Sequence, residues 1–110
     1  MERDLTHFKK DIIEACLAIN EFIGDIDFSN FVKDDKTYTA VLMKITIIGE
    51  VASHFGKEIQ DKNPKIDWAE MKGMRNFLIH EYFEVDPEVV WKAAKEDVPE
   101  LLKNMENLVL

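Results

Sequence analysis

Apolar residues recurring at spacings of three and four, on long stretches almost free of glycine and proline, commit this chain to helices. Over residues 4–23 the pattern is carried by Leu5, Phe8, Ile12, Ile13, Cys16, Leu17, Ile19 and Ile23, and Gly24 follows as a fitting stop. Such a stripe buries one face of a helix and leaves the opposite face for charge. The whole sequence holds only 4 Gly and 3 Pro, which suits a helical bundle and argues against a β fold with many turns.

The same reading places a second long helix from Asp35, as N-cap, to about Phe55, with Gly56 as its stop. Tyr38, Val41, Leu42, Ile45, Ile48, Ala52 and Phe55 form one face, while Met43, Ile47 and Val51 lie off it. Coverage this broad predicts burial on more than one side, hence packing against a second subunit. Gly49, inside this helix, costs about 1 kcal/mol relative to alanine, so it predicts a close approach between backbones. In the acidic connection "DIDFSNFVKDD", Ser29 is read as the cap of a short turn, with Phe28, Phe31 and Val32 reaching the core.

Downstream of Pro64, Asp67 and Glu70 have capping-box spacing and open a third main helix, ending between Glu81 and Phe83. Asp86 followed by Pro87 starts the last helical region. Pro99 interrupts it, and Asp97 with Glu100 predicts a kink or restart near Asp97. The expected architecture is all-α, a bundle of four to five helices in one domain spanning residues 1–110.

With 110 residues the chain has room for one core. No apolar run approaches the ~18–20 residues of a membrane span, and "MERDLTHFKK" lacks the order of a signal peptide, so the expected location is the cytoplasm without membrane association. Cys16, the one cysteine, reads as a buried small apolar residue. The net charge of −8 opposes broad contact with phosphates. Cations gathered in a cleft can still act locally on an acidic protein.

The chemistry concentrates in "GMRNFLIHEYF", residues 73–83. On an ideal helix Arg75 and Tyr82 share a face, as do Asn76 and His80, whereas Arg75 and His80 diverge by roughly 140°. One small target therefore receives both only if the helix loosens near His80 or a symmetry mate adds its own copy. Histidine exchanges protons near neutral pH and arginine holds phosphate oxygens with a permanent charge. In RNA the ribose 2′-hydroxyl is a nucleophile already in place, so His80 as acid/base, Arg75 as clamp and Asn76 as support suffice without metal or other cofactor. Taken alone, the Arg-His spacing also fits a surface arginine and a histidine capping a helix end. His7 and His54 read as solvent-facing or packing residues, and Trp68 and Trp91 as core.

Residues 73–86, "GMRNFLIHEYFEVD", resemble the HEPN domain family, specifically its HepT-like toxins with their Arg-x-x-x-x-His-x-Tyr signature, here Arg75, His80 and Tyr82. "AVLMKITIIGEVA" (40–52), "IDWAEMKGMRN" (66–76) and "VDPEVVWKAAKEDVPELL" (85–102) fit the same family. The resemblance implies a dimerising HEPN bundle whose paired motifs line a metal-independent endoribonuclease cleft, with tRNA one candidate substrate. It also implies a toxin–antitoxin pairing in which a MntA-like minimal nucleotidyltransferase attaches AMP to Tyr82. Glu50 reads either as positioning Arg75 or as an interface or solvent residue. Many relatives carry an arginine before the Ile-Gly-Glu where this chain has Met43 and Lys44, which predicts reduced RNA affinity or toxicity. The competing expectation is a non-catalytic HEPN module that presents nucleotide or substrate to a minimal nucleotidyltransferase.

Overall fold

A computed structural model describes residues 4–110; residues 1–3 of the expected domain lie outside the described residues. The order is α1 (Leu5–Ile23), α2 (Phe28–Lys33), α3 (Asp35–Ala52), α4 (Lys57–Lys62), α5 (Trp68–His80), a 3-10 helix (Tyr82–Glu84), α6 (Pro87–Lys92), a π-helical turn (Ala93–Asp97) and α7 (Val98–Glu106). Long rods form the expected all-α bundle, and the six-residue helices α2 and α4 occupy the connections. Among the described residues there is no strand, and no helix is long and apolar enough to cross a membrane.

Helix α3 sits at the centre, with α1 against one side and α5 against another, while α7 packs on α1. Ile12, Cys16 and Ile19 of α1 meet Val41, Ile45 and Ile48 of α3 in the core, joined by Phe31, Phe55, Val90 and Met105. Burial raises the Cys16 thiol to about 12, so it stays protonated and behaves as a small apolar side chain. Two neighbours within one chain account for most of the apolar coverage on α3. Val51 packs on the core and Ile47 is half-buried, whereas Met43 stays 59% exposed.

Caps explain most boundaries. Gly24 closes α1 with a positive φ of 49°, its N–H donating to the Asn20 carbonyl. Asp67 accepts from the Glu70 N–H and Asp86 from the Glu88 N–H, with Pro87 in the first turn, as the sequence predicts. Ser29 is not the cap of α2; Asp27, two residues earlier, accepts from the Asn30 N–H. The cap of α3 is Asp34 rather than Asp35, because Asp34 receives both the backbone N–H and the hydroxyl of Thr37. Those bonds hold its carboxyl below the ordinary aspartate range.

Two further boundaries differ in place or form. Helix α3 stops at Ala52, short of Phe55, where the Ser53 hydroxyl bonds back to the Glu50 carbonyl. The turn that follows drops Phe55 into the core against Phe8 and Trp68, and Gly56 begins α4 instead of ending α3. Where a kink or restart is expected near Asp97, the regular α-helix is interrupted by the π turn and α7 begins at Val98, with Pro99 in its first turn. The chain stays right-handed helical through Asp97, whose side chain caps nothing, and the Val98 N–H reaches back to the Ala93 carbonyl across a widened π turn. The wider turn accommodates a proline that lacks an N–H and whose ring crowds the preceding turn.

Asn63 is buried between α4 and the C-terminal segment. Its amide donates to the carbonyls of Ile59 and Val109, and its side-chain oxygen accepts from the Val109 N–H. Asn63→Ala leaves part-buried backbone groups of Ile59 and Val109 without that partner, so we expect a loss of about 1 kcal/mol in urea unfolding, with faster amide exchange at Val109. Unchanged stability in that variant would remove the clamp from the account of the fold.

Candidate active site

Helix α5 carries the motif because Gly49 lets it lie against α3. A side chain at position 49 would place its Cβ 2.4 Å from the Arg75 Cβ and 2.6 Å from the Met71 carbonyl oxygen. Neither is a flexible side-chain end, so the space is filled by α5 itself. The predicted close approach is therefore real and lies within one chain.

That contact lays the Arg75 stem across α3 and delivers its guanidinium to Glu50, one residue beyond Gly49, with Nη1 2.5 Å from the carboxylate. The Arg75 side chain is 20% exposed, and its Nε is buried without a partner among the described residues. Glu50 is 55% exposed, so solvent screening limits the pair to less than about 1 kcal/mol. Its consequence is positional: one end of the guanidinium is fixed at Glu50 of α3. Glu50 thus touches Arg75 while more than half of its side chain remains in solvent.

His80 is the last residue of α5 and is exposed, with the Glu81 N–H closing the helix on the Phe77 carbonyl. Asn76 is also exposed, and no hydrogen bond joins it to His80 among the described residues. Tyr82 does not share a helical face with Arg75, because α5 has ended and Tyr82 opens the 3-10 helix. It is half-exposed and meets the ring of Phe83 edge-on at 5.3 Å, and Phe83 is 97% exposed. Arg75 and His80 remain on one continuous helix, five residues apart, so the divergence expected from the helical wheel persists within a single chain.

The profile of the family described as "Ribonuclease HepT-like" matches residues 12–108. The chain belongs to the HepT-like ribonuclease family. A Thermococcus cleftensis protein provisionally named ribonuclease HepT is 42% identical over 108 residues, covering 98% of each chain. A Methanocaldococcus jannaschii protein provisionally named an RNase is 39% identical over 105 residues, 96% of each. Another, from Caldanaerobacter subterraneus, is 34% identical over 93% of this chain and 91% of its own. No solved structure gives a significant match.

The HepT-like chain holds one further group beside the motif that its sequence pattern did not single out. Tyr38 of α3, read there as a core residue, is half-buried against Phe31. Burial raises its phenol above the ordinary range, and the neighbouring Tyr82 and Asp86 push it further. A second tyrosine thus stands close to the motif tyrosine. No local spacing could reveal this, because 44 residues separate the two.

Proposed function

We propose that this HepT-like protein is a metal-independent endoribonuclease that works as a homodimer, with Arg75 and His80 from both copies lining one cleft. The observation that carries this reading is an exposed His80 at the end of α5, with an Arg75 held by Glu50 on the same helix, in a chain of this family. In the reaction, the ribose 2′-oxygen loses its proton to one imidazole and attacks phosphorus. The bond from phosphorus to the 5′-oxygen breaks, and that oxygen takes a proton from a second imidazolium. Arg75 offsets the charge that builds on the phosphate oxygens, and Asn76 adds a donor. Two histidines at one linkage require two copies, since each chain supplies one in the motif. The exposed Phe77, Ile79 and Phe83 on and just after α5 supply apolar surface for that assembly.

In this reading the protein is the toxin of a cytoplasmic toxin–antitoxin pair, with tRNA a candidate substrate. A MntA-like nucleotidyltransferase transfers AMP from ATP to the Tyr82 hydroxyl, releasing pyrophosphate. The half-exposed phenol at the opening of the 3-10 helix supports such access. AMP at that point puts a bulky anion two residues from His80, where it would obstruct the substrate phosphate.

A second reading, a non-catalytic module serving the nucleotidyltransferase, is favoured by the net charge of −8 and by Arg75 being already paired with Glu50. The two separate on purified protein incubated with total tRNA and mRNA in EDTA. Cleavage by wild type establishes the nuclease. Intact RNA across a range of protein concentrations, from a preparation that still accepts AMP, establishes the module. Mass spectrometry after incubation with the partner and ATP should show AMP on Tyr82 and none on a Tyr82→Phe variant; AMP elsewhere sinks the modification claim.

A further inference from the structure

Just past the end of α5 an aromatic ring stands almost wholly in water. Phe83 is 97% exposed, and its ring meets Tyr82 edge-on at 5.3 Å. The turn that carries it is fixed at both ends. The Glu81 N–H donates to the Phe77 carbonyl, the Glu84 N–H donates to the Glu81 carbonyl, and Val85 packs on the core. Phe83 is therefore presented on a closed 3-10 turn, three residues beyond His80. With Phe77, Ile79 and Tyr82 also exposed, it belongs to a patch around the motif and is not an isolated surface residue.

Around this ring the charge is of one sign. Residues 81–88 hold Glu81, Glu84, Asp86 and Glu88, all exposed, and no lysine or arginine. A phosphate is repelled there, and the motif's cation, Arg75, lies back on α5. A strand of RNA whose phosphate is engaged by Arg75 and His80 must keep its backbone off this segment. What it can turn toward the segment is a base, which is uncharged and stacks on an aromatic face whatever its identity. Affinity drawn from stacking needs few phosphate contacts, which suits a chain of net charge −8.

We propose that Phe83 is a base-stacking platform of the cleft, taking an unpaired nucleobase next to the linkage at His80, with Tyr82 supporting its ring from the side. This inference rests on the ribonuclease reading and adds to it a residue that binds substrate without taking part in proton transfer. Phe77 and Ile79 precede His80 on α5 and Phe83 follows it, so a ring that borders the assembly surface also borders the histidine. An aliphatic side chain would serve assembly equally well, whereas a base needs a π face. The adenine of an AMP on Tyr82, one residue away, is itself a base for this ring, so modification would cover the platform as well as obstruct the phosphate.

The test separates binding from cleavage with two strands: a 2′-O-methyl oligoadenylate decamer, which lacks the nucleophile, and an abasic decamer with the same backbone. The full chain carries ring-¹³C phenylalanine, and the Phe83 signals are those missing from Phe83→Leu. Oligoadenylate should shift them saturably while the buried Phe31 and Phe55 stay in place, and the abasic strand should not. Phe83→Leu, with its assembly checked by light scattering, should bind oligoadenylate about five- to hundredfold more weakly, and Phe83→Trp should restore binding. That loss should be equal at low and high salt, because stacking releases no counterions. Equal shifts from both strands, no saturable shift at millimolar strand, or wild-type affinity in Phe83→Leu overturns the platform. Where Phe83→Leu fails to assemble, the two strands on wild type decide. A variant that binds RNA normally but no longer accepts AMP assigns the ring to the nucleotidyltransferase instead. Cleavage of unmodified RNA is read separately: wild type that cuts without a Phe83 shift overturns the platform alone, and a Phe83 shift without cutting overturns the nuclease alone.

Discussion

Replacing His80 with alanine is expected to lower the RNA cleavage rate by about two to four orders of magnitude, the usual weight of a general acid or base, if the proposed role holds. The expected effect on stability is small. His80 is exposed at the end of α5, outside the core, and the most it gives the fold is the favourable position of a cation at a helix C-terminus, about 0.3–1 kcal/mol when protonated. Rate and stability therefore separate, which is unusual for a substitution in a small domain. Cleavage measured beside thermal melting and sizing by light scattering checks this. A variant that melts and assembles like wild type but has lost cleavage supports a proton-transfer role. A variant that cuts RNA at the wild-type rate removes His80 from the chemistry, and with it the proposed paired-motif cleft.

Gly49→Ala is expected to act in the opposite way, on the fold first and on activity as a result. The added methyl would stand within 2.6 Å of both the Arg75 Cβ and the Met71 carbonyl oxygen, so α3 and α5 must move apart. Overpacking of this kind costs about 1–3 kcal/mol, and it has to exceed the ~1 kcal/mol that alanine gains over glycine inside a helix. A net fall in the urea midpoint is the expected result, because the clash involves the backbone and the stem of a side chain held at both ends. The same displacement pulls the guanidinium of Arg75 away from Glu50, so cleavage should fall further than the loss of folded protein explains. A midpoint equal to or above wild type would show that the two helices do not approach so closely.

Helix periodicity and caps that act within three or four residues were legible in the sequence. The stripe from Leu5 to Ile23, the caps at Asp67 and Asp86, the stop at Gly24 and the burial of Cys16 all rest on local spacing, and each is found in the structure except that Leu17 of the stripe stays exposed. The family signature at Arg75, His80 and Tyr82 was equally visible. What escaped is partly a choice between equivalent local signals and partly contact between distant positions. Asp34 and Asp35 are equivalent as local signals, and only the hydroxyl of Thr37 distinguishes them. Tyr82 leaves the helix where a wheel drawn on the sequence keeps it. The interruption expected near Asp97 is present, but the sequence does not show that it takes the form of a π turn. The breadth of apolar surface on α3 indicated a second neighbour, but could not show that α5 of the same chain would fill that place.

The contact between α1 and α7, reinforced by Asn63 holding Val109, also bears on how the molecule comes into being. The first long helix acquires a lasting partner near the end of the chain, so during synthesis its apolar stripe, covered in part by α3 and by His54 and Phe55 beyond it, is completed only once α7 has emerged. Completion of the native state is then governed by closure of a long loop and not by helix formation, which is far faster. Until that closure the nascent protein has its motif residues but not the finished frame that holds them.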